Sequence, residues 1–304
     1  MAHRLTIMTV HAHPDDETIT VGGTLAHYAA HGERVICVTS TYGEEGEIVV
    51  PEIDTPENHA RLGEIRQGEM AAALLALSPE GRIEHRWLGY RDSGMMGRPE
   101  NDDPRALWQS DPAEAAGRLV RLVRELQPDV MVGENDFGGY GHPDHIRAAL
   151  ACKAAFEAAG DPAAYPEQLA EGLEPWRPTK LYESVFDMSR SDDLAAELKA
   201  KGIPSWWEPP ADETPEQKAE REAHWAKMAA AAGPVTTRLE VSGFISNKIG
   251  SLLAHHTQIR TDDMFLALGE EAWRRIQPSE AFTLKVSRQG EVRIPETDLF
   301  AGLR

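Results

Sequence analysis

The chain has 304 residues, of which 41% are hydrophobic and 27% charged, and its 50 acidic against 31 basic side chains give a net charge of −19. This is the make-up of a globular protein with room for one large core or two unequal ones, and its field repels nucleic acid and anionic membrane, so neither is an expected partner. No apolar run reaches the roughly 18 residues that suggest a bilayer span, and the opening residues lack the apolar stretch and cleavage site of a signal peptide. The expected location is therefore cytoplasmic, and self-association is left open.

In chain order, Leu5 to Val10 reads as a strand, Thr18 to His31 as a helix closed by Gly32, and Arg34 to Ser40 as the next strand. A long helix over Glu57 to Leu77 precedes a strand near Ile83 to Leu88. Asp111-Pro112 supplies a cap and a first-turn proline for a helix over Pro112 to Leu126. Asp129 to Glu134 follows as a strand, and Pro143 to Ala159 as a helix ending at Gly160. Strands alternating with helices predict an α/β fold: a Rossmann-like, doubly wound, mostly parallel sheet.

Residues 161–234 differ, with many prolines, acidic runs and Trp176, Trp206, Trp207 and Trp225. A strand is expected over Lys180 to Phe186, with helices around Asp192 to Lys201 and Pro215 to Ala232. A strand over Val235 to Val241 and a helix over Ser246 to His256 follow, and the remaining C-terminal stretch reads as partly irregular. The expected division is a metal-binding core over 1–160, with 161–304 forming an α+β cap that binds substrate and packs on the same core. Cys37 and Cys152 stand in apolar surroundings and read as small core residues, not as a disulfide. Any metal must then be held by imidazole and carboxylate.

Two clusters carry the chemistry. His11-Ala12-His13-Pro14-Asp15-Asp16-Glu17 follows the first predicted strand, and Tyr140-Gly141-His142-Pro143-Asp144-His145 follows the strand ending near Glu134. Ligands of open α/β sheets bind at the carboxyl ends of the strands, so both clusters sit at the functional edge. Each has a proline at a helix start, which fixes the turn. A catalytic zinc site uses three protein ligands and leaves one position open. His13 and Asp16, close together across a turn, can converge on one ion that His145 completes. Asp15 is then free to act as general base. Asp144 can orient an imidazole, and a cationic His142 can stabilise an oxyanion or protonate a leaving amine. Ferrous iron suits the same donors, which leaves a non-haem iron oxygenase as a rival, although Asp15 and His142 would then have no task. A non-catalytic metal- or carbohydrate-binding module needs the ligands but not the base. A nucleotide-binding protein would carry Gly-x-Gly-x-x-Gly after the first strand, where this chain has the His-Pro-Asp-Asp motif.

His13-Pro14-Asp15-Asp16-Glu17 and His142-Pro143-Asp144-His145 resemble the paired signatures of the PIG-L/LmbE-like zinc deacetylases. The likeness extends through Gly22-Gly23-Thr24-Leu25, Thr39, Gly43-Glu44, Arg91-Asp92-Ser93-Gly94, Gly138-Gly139-Tyr140-Gly141, Ala254-His255 with Thr257-Gln258, and Glu296-Thr297-Asp298-Leu299. The later elements are similar to the actinobacterial branch acting on mycothiol and its precursor. The resemblance implies removal of an N-acetyl group from a glucosamine unit. It implies His13, Asp16 and His145 as zinc ligands, Asp15 as base, His142 as acid or electrostatic partner oriented by Asp144, and Tyr140 as a mobile group polarising the carbonyl. It also implies substrate contacts at Arg66, Asp92 and His255. For Arg66 the alternative is a helix-surface pair with Glu64 or Glu69, and for Asp92 a turn residue before Ser93-Gly94. Thr20 and Gly141 resemble the GlcNAc-inositol deacetylase, whereas the mycothiol-conjugate amidase has Lys and Pro at those places. A deacetylase of other N-acetyl sugars in a natural-product pathway would share the same core.

Overall fold

Strands that are apolar on both faces need helices on both sides of the sheet, and that is how the chain is built. The structure is a computed structural model that describes residues 4–203, 209 and 212–304; Trp206 and Trp207 lie outside the described residues. The first half runs β1 (Thr6–His11), α1 (Asp16–His31), β2 (Arg34–Thr41), α2 (Pro56–Ala60), α3 (Leu62–Leu77), β3 (Ile83–Tyr90), α4 (Pro112–Leu126), β4 (Val130–Gly133), α5 (Gly138–Gly141) and α6 (Pro143–Ala158). The second runs α7 (Pro166–Ala170), β5 (Lys180–Val185), α8 (Ser191–Lys201), α9 (Pro215–Ala231), β6 (Thr237–Glu240), α10 (Ile245–Ala254), α11 (Met264–Ala267), α12 (Glu270–Ile276) and β7 (Ser279–Ser287).

Among the described residues the strands form one sheet of order β3-β2-β1-β4-β5-β7-β6. Pairing is parallel from β3 through β5, while β7 is antiparallel to both β5 and β6. Alternate residues of the central strands feed two cores. Ile7, Val35, Cys37, Val130 and Val132 pack with Val21 and Leu25 of α1 and Met70 and Leu74 of α3. Met8, Val10, Ile36, Val38 and Met131 pack with Leu119 and Val123 of α4 and Cys152 and Phe156 of α6. The two cysteines are free and buried in opposite cores. A third, smaller cluster joins α8, α10, α11 and α12 around Leu198, Leu268 and Trp273. No helix of the described residues is long and apolar enough to cross a membrane.

The structure departs from the sequence reading in two places that matter for the site. The predicted helix over Glu57 to Leu77 is broken at Arg61, whose φ is −125°. Thr55 caps the short piece through its side chain. The long piece starts with Leu62 buried, so that Arg66 on its first turns points inward. The supposedly irregular C-terminal stretch contains β7, the strand that joins β5 to β6. Chain order reverses beside β1, with β2 on one side and β4 on the other. That switch point opens a crevice at the carboxyl ends of β1 and β4.

Candidate active site

β1 ends at His11 and the chain turns sharply into α1 at Asp16. Asp15 closes the turn at φ 107°, ψ −31°, a left-handed conformation that a non-glycine residue holds only when its surroundings impose it. Here they do. The Asp15 N–H donates to Glu17 Oε2 at 2.9 Å, and Arg66 Nη2 donates to Pro14 O at 2.5 Å and to Asp15 Oδ2 at 3.2 Å. Across the switch point, His142 caps α6, Pro143 takes its first position, and Asp144 and His145 follow on the first turn.

The two loops bring three donor atoms together. His13 Nδ1 lies 3.2 Å from His145 Nε2, His145 Nε2 lies 3.3 Å from Asp16 Oδ2, and His13 Nδ1 lies 3.6 Å from Asp16 Oδ2. A tetrahedral ion with bonds of about 2.0–2.1 Å holds its donors about 3.3 Å apart, so the triangle is the right size for zinc. The other ring nitrogens fix the tautomers. His145 Nδ1 contacts both oxygens of Glu134 at 2.9 Å, and His13 Nε2 lies 3.2 Å from Asp144 Oδ2 and 3.6 Å from Asp92 Oδ1. With protons on those outer nitrogens, both inner lone pairs face each other and a carboxylate, an arrangement that a further proton or a metal cation between them relieves. The same His13 also belongs to a second candidate group with Asp92, His142 and Asp144. There the carboxylates are already engaged. Asp144 accepts from Ser93 N at 2.8 Å and from Ser93 Oγ, and Asp92 accepts from Gly94 N at 2.8 Å. Asp16 Oδ2 is engaged as well, accepting the His13 N–H at 2.8 Å, so what distinguishes the first triad is its triangle of facing donor atoms, while Asp92 and Asp144 lie against the other His13 ring nitrogen.

Charge in the site follows from burial and neighbours. Burial disfavours the His13 cation, but Asp92 and Asp144 outweigh it and hold its pKa well above the ordinary value. Asp15 is pushed up to about 6, chiefly by burial, with Arg66 pulling the other way. Burial and the imidazoles of His13 and His145 push His142 down to about 3. Burial and the carboxylates of Asp16 and Asp15 raise Tyr140 well above the usual phenol. The residue is 39% exposed at the rim while its hydroxyl turns inward, 3.4 Å from His145 Nε2.

The structure corrects the expected Asp144–His142 pairing and the cationic His142, and it places Arg66, His255 and Asp92. Asp144 pairs with His13, not His142; His142 Nδ1 instead accepts the Asp144 N–H at 3.2 Å, because it caps α6. His142 is accordingly neutral, with its proton on Nε2, and not a standing cation. Arg66 makes neither surface pair: it is 3% exposed and bound to Gly43 O, Pro14 O and Asp15. His255 is fully buried behind the site, where its Nε2 meets Glu17 Oε1 at 2.9 Å. Asp92 stands beside His13, and not only at the turn before Ser93-Gly94. Sequence reasoning missed Glu134 and Ser93. Glu134 immediately follows β4, at the sheet edge that holds the motifs, and that placement was the available signal. A cavity of about 700 Å³ opens beside the site, lined by Glu44, Glu45, Glu47, Asp54, Arg91 and Arg98 among others. Glu44 ties it to the centre by accepting the Asp92 N–H at 2.9 Å.

Residues 8–156 match the family described as PIG-L: GlcNAc-PI de-N-acetylase. Over 307 residues the chain is 40% identical to a 1D-myo-inositol 2-acetamido-2-deoxy-alpha-D-glucopyranoside deacetylase of Frankia alni, covering 97% of this chain and 99% of that one. It is 38% identical over 317 residues to a protein of the same description from Thermobispora bispora, covering 98% of each. The fold is shared with N,N'-diacetylchitobiose deacetylase from Pyrococcus horikoshii, at a TM-score of 0.60 and 18% identity over 92% of this chain and 83% of that one.

Proposed function

The chain belongs to the PIG-L GlcNAc-PI de-N-acetylase family, and from that premise we propose that it hydrolyses the N-acetyl group of GlcNAc-inositol with a zinc ion held by His13, Asp16 and His145. The observation that carries this reading is the triangle of converging donors, each imidazole locked by a carboxylate behind it. Frankia and Thermobispora relatives aligned over nearly the whole chain support the substrate.

A divalent cation in that cradle supplies Lewis acidity and brings the pKa of a water towards neutrality. The protein's own groups do the rest. Asp15, adjacent to Asp16 with its side chain 15% exposed, takes a proton from the attacking water. Arg66 holds that carboxylate in place and favours its charged form. As the acetyl carbon becomes tetrahedral, the Tyr140 hydroxyl and the His142 Nε2–H serve as donors to the developing oxyanion. Asp15 returns its proton to the glucosamine nitrogen, and acetate and amine leave. The polar cavity beside Asp92 takes the inositol ring, its carboxylates and guanidinium groups matching hydroxyls. The substrate is small and soluble, in keeping with a cytoplasmic enzyme.

Gly141 supports the deacetylase over the conjugate amidase. Its φ of 92° is closed to proline, which is fixed near −65°. Thr20 serves locally, its hydroxyl donating to Asp16 O at 2.6 Å. The test is amine release from GlcNAc, GlcNAc-inositol and a mycothiol conjugate by metal-stripped and zinc-restored enzyme. Zinc-dependent release fastest on GlcNAc-inositol is expected; release from the conjugate alone overturns the substrate, and equal release without metal overturns the mechanism.

A further inference from the structure

Val21 sits at φ −137° and ψ 16° inside α1, so the turn that carries Asp16 is separated from the longer stretch that packs in the core. Such a break strands backbone groups on both sides. Before it, the Ile19 carbonyl accepts from Lys248 Nζ at 3.0 Å. After it, the Gly23 and Thr24 N–H groups donate to Glu280 at 3.0 and 2.8 Å, and Thr24 Oγ1 adds a bond of 2.7 Å. Lys248 and Glu280 meet each other at 2.7 Å, with side chains only 19% and 6% exposed. An ion pair thus stands where the hydrogen bonds of the helix are missing. Gly23 is needed for this approach, because a Cβ there would lie 2.7 Å from Val241 Cβ.

Lys248 is the first of three residues on one side of α10. Ser251 Oγ bonds Thr18 Oγ1 at 2.7 Å, and His255, at the helix end, reaches Glu17 at 2.9 Å. Their spacing of three and four residues places them on a single face. That face therefore grips residues 17, 18 and 19 in turn, directly after Asp16. None of Lys248, Ser251 or Glu280 lies within the segment matched to the family.

We propose that Lys248, Ser251 and Glu280 are positioning residues that set the pose of Asp16, and through it the affinity and turnover of the metal centre. This rests on the reading of His13, Asp16 and His145 as ligands. The experiment is zinc affinity of the full-length chain by competition with a chromophoric chelator, alongside kcat, KM and metal-free thermal unfolding. Lys248→Met and Ser251→Ala should weaken zinc about 10- to 100-fold, the range typical of outer partners of ligands. Both should lower kcat with little change in KM, and Lys248→Arg should recover most of the loss. Leu198→Ala, in the cluster of α8 with Trp273, should lower the metal-free Tm at least as much while keeping zinc affinity. Wild-type affinity in both Lys248→Met and Ser251→Ala overturns the proposal, as does equal weakening in Leu198→Ala. His145→Ala run in parallel separates the causes: if it too binds zinc normally, the ligand set falls and this inference with it.

Discussion

The loop after β1 and the loop after β4 do different work at the same centre. The first is short and strained: within a few residues it supplies His13, Asp16 and, at φ 107°, the half-buried carboxylate of Asp15. The second is spread out and capped, with His145 on a regular helical turn, Glu134 behind it and His142 spent partly on the α6 N-terminus. Reactivity is concentrated where the backbone is forced, and the frame is built where it is relaxed. A strained position persists only when several bonds over-determine it, and Arg66 and Glu17 provide those bonds.

The sharpest way to break this contrast is to remove one member from each loop. Asp15→Ala should cut turnover by about 10²- to 10⁴-fold while zinc stays bound, whereas His145→Ala should lose both zinc and turnover. Metal content by atomic absorption with kcat/KM separates the two, and a metal-free but active His145→Ala would end the assignment. Next in size, Glu134→Gln should weaken zinc by about 10- to 100-fold without moving the acid limb of the pH–rate profile. Tyr140→Phe should follow with a smaller loss, seen in kcat more than KM, because its hydroxyl acts on the developing charge. The smallest effect expected is a shift of the acid limb itself. Asp15 works as a base when ionised, so turnover falls as pH drops through its pKa; burial lifts that value to about 6 in the absence of metal. A bound cation lowers it, so the midpoint should lie at or below about 6, and Arg66→Met should move it upward. An unmoved limb in Arg66→Met would show that the guanidinium does not tune the base.

Much of this was legible in the residues. Two Pro-centred His/Asp clusters at predicted strand ends pointed to one shared edge of the sheet, where His13, Asp16 and His145 do meet, because strand direction alone brings both there. Pairing within the cluster was not legible: whether Asp144 serves His142 or His13 depends on rotamers and on a cap, and neighbours in sequence proved the wrong guide. For Arg66 a substrate contact and a helix-surface pair both stood open, because an unbroken helix over Glu57 to Leu77 does not show that the segment restarts at Leu62 with Arg66 turned inward. The interruption at Val21 is marked in sequence only by Gly22-Gly23 directly after it, while the groups that bond its freed backbone, Lys248 and Glu280, are more than two hundred residues away along the chain. β7 was hidden by its own composition. Ser279-Glu280-Ala281-Phe282-Thr283-Leu284-Lys285-Val286-Ser287 mixes charge with apolar residues, as suits a strand whose neighbours are antiparallel.

β7 also imposes an order of events on the ribosome. It lies between β5 and β6, and among the described residues β7 is the one strand that pairs with β6, which otherwise makes a single bridge from Thr237 to Glu296. A nascent chain thus exposes every residue of the proposed metal triad by residue 145 and must wait for the segment over Ser279–Ser287, emerging at about 5–20 residues per second, before β6 can dock and Glu280 can enter the break in α1. Until then β5 presents an open edge, the kind of surface on which partly made chains stick to one another. Expression yield, and not only activity, should therefore respond to changes in this late strand.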